Sequence, residues 1–134
     1  MAQTISLTSA QLVEEARAKI TEVSAQEAIA MVDDPGVELV DIRDVRELMR
    51  EGQVPGAFHC PRGMVEFWID PQSPYFKERF NQDKRYVFFC GGGMRSVLAA
   101  EVAQRMGLNP VAHVIGGFAA WRKADGPVEP YAKG

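Results

Sequence analysis

The chain is poor in the residues that form covalent or metal cross-links. Its 134 residues include only two cysteines, Cys60 and Cys90, and two histidines. Two cysteines are too few for a disulfide framework, and without a Cys-x-x-Cys pair the sequence offers no structural zinc site. We therefore expect neither a metal nor another cofactor. The low cysteine content also favours a reducing compartment.

Two further features are missing: an excess of positive charge and a long apolar run. The formal net charge is −3, so the basic stripe of a nucleic-acid-binding protein is not expected. No stretch reaches the roughly eighteen consecutive apolar residues of a membrane-spanning helix. The N-terminus also lacks a basic segment followed by an apolar core, the mark of a secretory signal. These absences predict a cytoplasmic protein with neither nucleic acid nor membrane as a partner.

What the sequence does contain is an alternation of helical and strand patterns. Hydrophobic residues make up 46% of the chain, enough for one domain with its own core. Alternating helices and strands are typical of an α/β fold whose sheet is covered on both faces. The strands are predicted at 37–42, 57–60, 86–89 and 111–115, and the helices at 9–20, 25–31, 45–51, 96–106 and 118–123. Residues 61–70 are predicted as a loop or helix, and residues 75–80 as one or two helical turns.

Cys90 is the strongest candidate for chemistry. It ends the apolar run 86–89 and precedes three glycines and a helix, so that main-chain N–H groups can turn inward around its sulfur. The helix N-terminus favours a thiolate and an anionic substrate. We interpret Cys90 as a nucleophile, although an inert, buried cysteine remains an alternative. The residues assigned to its substrate-binding loop are Gly91, Gly92, Gly93, Met94, Arg95 and Ser96.

Within this loop, Arg95 is expected to anchor the backbone and to add positive charge. Gly92→Val is expected to distort the loop. Four residues separate Cys90 from Arg95. This spacing resembles the active-site loop of the rhodanese family, in which a six-residue loop fits a sulfane sulfur. Phosphatases with a similar fold have the wider Cys-x5-Arg loop, so phosphatase activity is disfavoured.

Two other segments carry the same resemblance. Residues 39–57 are similar to the family's N-terminal signature of strand, short helix and Pro-Gly-Ala turn, although Gln53 stands where many relatives have histidine. Residues 113–121 are similar to its C-terminal Gly-Gly-Phe-x-x-Trp pattern. The resemblance implies a three-layer α/β/α sandwich with a mainly parallel central sheet of about five strands. It divides the chain into an N-terminal helical extension (1–21), one domain (22–130) and a tail (131–134).

The resemblance further implies a sulfurtransferase that carries sulfur as a persulfide on Cys90. The expected donor is a small anion such as thiosulfate or a persulfide-donating protein, and the acceptor is cyanide or a thiol. Inward N–H groups would take the place of a general base. The alternative is a non-enzymatic sulfur carrier or partner-binding module. A disulfide between Cys60 and Cys90 is a further, weaker alternative.

Three charged residues outside the loop are supporting candidates. Asp41 and Arg43 lie at the carboxyl end of a predicted strand, where ligands of open α/β sheets gather. They either face the pocket or form an internal ion pair that organises the loops. Arg62 follows Cys60 and Pro61 and is assigned to the surroundings of the same site.

Overall fold

A computed structural model describes residues 2–132 and shows a sheet whose strands are all parallel. The strand order is β1-β5-β4-β2-β3. The central strands β2 and β4 are apolar at most positions, as expected for strands that are covered on both faces. The predicted α/β fold is therefore confirmed. The strands are β1 Thr21–Val23, β2 Val37–Asp41, β3 Phe58–His59, β4 Arg85–Phe89 and β5 Val111–Val114.

Helices cover both faces of this sheet and complete the predicted three layers. On one face α4 and α5 pack into an apolar cluster with β4, and on the other α2 and α6 pack against β4 and β5. Short 3-10 turns occupy Arg62–Met64 and Glu78–Phe80. The α-helices are α1 Ser9–Arg17, α2 Ala25–Ile29, α3 Val45–Glu51, α4 Val65–Ile69, α5 Arg95–Met106 and α6 Gly117–Lys123.

Capping residues fix the helix starts that the sequence predicts. Thr8, Ser24 and Asp44 each accept a hydrogen bond from a backbone N–H of the first turn, and each belongs to a reciprocal capping box. At the C-terminal end of α5, Gly107 adopts a left-handed conformation with φ 113° and ends the helix. The helix ends are less well predicted, because α1 stops at Arg17 and α2 at Ile29.

Helix α1 and the segment that follows α6 pack against the sheet-and-helix body. Val13 and Ala16 of α1 pack on Val97 of α5. After α6, the backbone of Glu129 exchanges two hydrogen bonds with Gln53, at 2.8 and 2.9 Å. Met1 and positions 133–134 of the predicted tail lie outside the described residues.

None of the helices within residues 2–132 is long and apolar enough to span a membrane.

Candidate active site

The sulfur of Cys90 lies at the carboxyl edge of the sheet, inside the loop that joins β4 to α5. The Gly93 N–H donates to Sγ at 3.1 Å and the Ser96 N–H at 3.4 Å. Cys90 is only 1% exposed, so its thiol forms the floor of the loop, while the Met94 side chain stands at the rim, 65% exposed. Two main-chain dipoles thus point at one sulfur atom, an arrangement that stabilises negative charge there.

The three glycines of the loop have unequal roles. Gly93 has φ 98°, and a Cβ there would lie 2.9 Å from the Gly116 nitrogen. At Gly91 a Cβ would lie 2.9 Å from Nη2 of Arg95. At Gly92, by contrast, a Cβ would meet no atom within 4 Å, and the backbone lies outside the left-handed region. A Cβ therefore fits at Gly92, Gly93 is the glycine that the loop backbone requires, and the distortion expected of Gly92→Val stays a prediction.

We expect Gly93→Ala to slow any reaction of Cys90 and Gly92→Ala to leave it within about twofold. An alanine in the left-handed region costs about 1–2 kcal/mol. Displacing the Gly93 N–H from the sulfur should slow the reaction about tenfold or more, because complete loss of an oxyanion-hole donor costs roughly a hundredfold in rate. The rate of Cys90 alkylation in the two variants measures this difference. Equal rates in both would show that the Gly93 N–H does not hold the sulfur.

Arg95 ties the loop to the neighbouring helix α3. Its guanidinium donates two hydrogen bonds to the Glu47 carboxylate, at 2.9 and 3.1 Å. These bonds lower the pKa of Glu47 and raise the pKa of Arg95. Arg95 therefore anchors the loop, as the sequence suggests, but Glu47 offsets much of the positive charge that it brings.

Asp41 and Arg43 form a buried ion pair beneath the loop. Arg43 is fully buried, donates to the Asp41 carboxylate at 2.8 Å and to the Gly52 carbonyl at 3.0 Å, and stacks 3.9 Å from the Phe118 ring. Asp41 and Arg43 therefore form an internal ion pair that organises the loops, rather than facing the pocket. The pair joins the end of β2 to the start of α6, and both segments border the Cys90 loop.

Arg62 and Cys60 make no hydrogen bond or ion pair to the thiol loop within the part of the chain that the structure describes. Arg62 pairs with Glu66 at 2.9 Å in a groove between α1, α4 and α5, and no hydrogen bond or ion pair within residues 2–132 joins it to the loop. Cys60 is fully buried, and burial raises its pKa to about 12. Both cysteines are free thiols. Cys60 therefore stays protonated at neutral pH and acts as a packing residue.

The Gly-Gly-Phe segment supports the loop from below. Gly117 has φ 58°, and its α-carbon packs so closely on the Cys90 carbonyl that a Cβ would overlap that oxygen. The next two residues donate to the loop backbone: the Phe118 N–H to the Cys90 carbonyl at 2.7 Å, and the Ala119 N–H to that of Gly91 at 3.0 Å. The segment thus fixes the backbone that carries the sulfur.

A line of polar contacts behind the sulfur was not predicted from the sequence. The Ser96 hydroxyl lies between Sγ and Nδ1 of His113, and Nε2 of His113 contacts Glu22. The sequence feature that could have indicated these contacts is His113, a polar residue in the otherwise apolar, fully buried strand β5. Within residues 2–132, no group of three or more His, Cys, Asp or Glu side chains is placed to hold a metal ion.

The parallel sheet and the thiol loop at its carboxyl edge define a cysteine-centred α/β domain. The chain belongs to the rhodanese-like domain family, whose family model matches residues 24–124. Because relatives of the chain are named thiosulfate sulfurtransferases, this family is a sulfurtransferase family.

Named relatives agree with this assignment. The chain is 30% identical over 104 residues to the mouse thiosulfate sulfurtransferase/rhodanese-like domain-containing protein 3, covering 74% of this chain and 66% of that protein. It is 29% identical to the thiosulfate sulfurtransferase GlpE of Tolumonas auensis, covering 78% and 90%. Among solved structures, a Rhodopseudomonas palustris protein of unknown function, described as a possible tyrosine phosphatase, is 53% identical with a TM-score of 0.93, covering 96% and 99%.

Proposed function

We propose that the protein transfers a sulfane sulfur from thiosulfate to cyanide or a thiol through a persulfide on Cys90. The observation that carries the proposal is the Cys90 sulfur at the base of a six-residue loop, with two main-chain N–H groups directed at it. Such donors stabilise negative charge on sulfur without having to reorganise. A cytoplasmic location is part of the same proposal.

The reaction proceeds in two displacements. The Cys90 thiolate attacks the outer sulfur of thiosulfate, a new S–S bond forms, and the old S–S bond breaks as sulfite leaves with its electron pair. An acceptor such as cyanide then attacks the outer sulfur of the persulfide, and the Cys90 thiolate leaves. A covalent intermediate replaces one difficult displacement by two easier ones. A protein persulfide can serve as donor in the same first step.

Phosphatase activity is the second candidate, because the Rhodopseudomonas palustris protein is described as a possible tyrosine phosphatase. Two observations weigh against it for this chain. The loop from Cys90 to Arg95 is one residue shorter than the phosphatase Cys-x5-Arg loop. Arg95, the guanidinium that would bind a phosphate, already donates both of its paired N–H groups to Glu47. A binding module that has lost its chemistry is a third candidate, but it would have no need of a sulfur held by two N–H donors.

Mass spectrometry of the protein mixed with thiosulfate tests the proposal. We expect one adduct of about 32 Da on Cys90, which cyanide removes as thiocyanate, and no adduct on the buried Cys60. In a parallel reaction, p-nitrophenyl phosphate should not be hydrolysed. If phosphate ester is hydrolysed and no sulfur adduct forms, the phosphatase is supported. If neither reaction occurs, the binding module is supported.

A further inference from the structure

A continuous chain of hydrogen bonds runs from the Cys90 sulfur into the protein. Sγ and the Ser96 Oγ are 3.5 Å apart, Oγ and Nδ1 of His113 3.0 Å, and Nε2 of His113 and Oε2 of Glu22 2.8 Å. Ser96 and His113 are no more than 1% exposed. Three separate elements, α5, β5 and β1, thus place their polar side chains in one line that ends on the nucleophile.

When Cys90 is a thiol, the protons of this line are fully determined. The ionised Glu22 can only accept, so Nε2 of His113 donates to it. A neutral imidazole has a single N–H, and Nδ1 must therefore accept the proton of the Ser96 hydroxyl. The lone pairs of Oγ then face Sγ and accept its S–H. Every contact is satisfied with His113 neutral.

When Cys90 passes its proton into this line, the line reverses. The sulfur can now only accept, so the single hydroxyl proton of Ser96 turns toward Sγ. Oγ then presents a lone pair to Nδ1 of His113, which must carry a proton. Nε2 still donates to Glu22, and His113 is therefore an imidazolium. Along this line, the thiolate and the imidazolium form together.

We propose that Ser96 relays the proton of Cys90 to His113 and that Glu22 stabilises the resulting imidazolium. The S–H bond breaks as a new Ser96 O–H bond forms, while the original hydroxyl proton passes to Nδ1. Ser96 stays neutral, and no group is oxidised or reduced. When the acceptor releases the thiolate at the end of the cycle, the proton returns by the same route. This inference rests on the proposed function, in which the thiolate begins the transfer, and makes Ser96, His113 and Glu22 positioning residues.

The surroundings of His113 keep its imidazole neutral before the transfer. Burial lowers the pKa of His113, and the hydrogen bond and charge of Glu22 oppose that effect. Arg17 of α1 lowers it further, although Arg17 is itself paired with Glu22 at 3.2 Å and with Glu14 at 2.8 Å. His113 is therefore neutral at pH 7 while Cys90 is a thiol, the state that can receive a proton.

The other charged side chains near the sulfur are paired with side chains of opposite charge. Arg95 is the nearest cation, but it is shared with Glu47, and Asp41 is neutralised by Arg43. Ser96 is the one side chain in the described part of the chain that hydrogen-bonds to Sγ. The route through its hydroxyl therefore offers the proton of Cys90 a direct path to a base.

The pH dependence of Cys90 alkylation by iodoacetamide tests the relay in the full chain. At about pH 6.5, Ser96→Ala, His113→Gln and Glu22→Gln should each react about tenfold more slowly than wild type, the order of one charge-assisted hydrogen bond. At about pH 9.5, where hydroxide removes the proton directly, the rates should converge to within about twofold. A loss of the same factor at every pH, as a purely structural role would give, overturns the proposal.

The second histidine supplies a matched control. Within residues 2–132, His59 makes one side-chain hydrogen bond, to the Arg43 carbonyl at 2.7 Å, and lies outside the line, so His59→Gln should retain the wild-type profile. Alkylation needs no sulfur donor. An intact relay profile without persulfide formation therefore rejects the sulfurtransferase and keeps the relay, whereas persulfide formation with a flat loss rejects only the relay.

Histidine nitrogen NMR tests the same proposal without altering the relay. Only two imidazoles contribute signals. In the wild type, His113 should remain doubly protonated to a higher pH than in Cys90→Ala, because the thiolate holds the second proton on the ring. Identical titration of His113 in the two proteins would overturn the relay.

Discussion

Replacing Cys90 by serine should reduce thiosulfate-to-cyanide transfer to the uncatalysed background. The serine hydroxyl is nearly isosteric and retains the N–H donors of Gly93 and Ser96. However, a hydroxyl is not ionised at neutral pH, and its oxygen cannot form the persulfide on which both displacements depend. The fold should persist, because the side chain keeps its volume and its hydrogen bonds. Thiocyanate formation under saturating thiosulfate measures the loss.

The control is the second cysteine of the chain. Cys60→Ala removes a buried core sulfur whose one hydrogen bond within residues 2–132 goes to the Pro61 carbonyl, at 3.9 Å. It should cost about 1 kcal/mol of stability while most of the transfer remains. A double loss, in which both variants lose transfer, would point to a disulfide mechanism. Turnover that survives in Cys90→Ser would remove Cys90 as the sulfur carrier.

Much of the fold could be predicted because its signals are local. Asp44 and Glu47 are three residues apart and form the capping box that starts α3, and the apolar run at 86–89 becomes a central strand. In contrast, β1 was missed. It has three residues with only one buried, and its partner in the sheet, β5, lies about 90 positions further along the chain. A short edge strand takes its identity from that pairing rather than from its own sequence.

The candidate site also has one part that could be predicted from the sequence and another that could not. The cysteine, its loop and the following helix are contiguous in sequence, so the loop could be predicted from spacing alone. The unequal roles of Gly92 and Gly93 could not, because they depend on the approach of Gly116 from another loop. The contacts of Ser96 with His113 and of His113 with Glu22 join residues 17 and 91 positions apart. The pairing of β1 with β5 places Glu22 beside His113, and the packing of α5 against β5 places Ser96 there.

A single methyl group at Gly117 should have the largest effect on stability. Gly117→Ala places a Cβ over the Cys90 carbonyl oxygen and 3.0 Å from the carbonyl carbons of Cys90 and Gly91, and it also forces alanine into the left-handed region. Backbone cannot move aside as a side-chain end can. The combined strain and overpacking should cost about 3 kcal/mol or more of unfolding free energy. Urea denaturation of the variant measures it.

Gly107→Ala separates the two contributions to this cost. Gly107 has φ 113°, but a Cβ there would meet no atom within 4 Å, so only the conformational term of about 1–2 kcal/mol applies. The difference between the two variants is then the clash with the Cys90 carbonyl. Because Phe118 and Ala119 hold the loop through that same backbone, Gly117→Ala should also slow the alkylation of Cys90 in the molecules that remain folded, whereas Gly107→Ala should not. If the two variants are equally stable and equally reactive, the Gly-Gly-Phe segment does not position the sulfur.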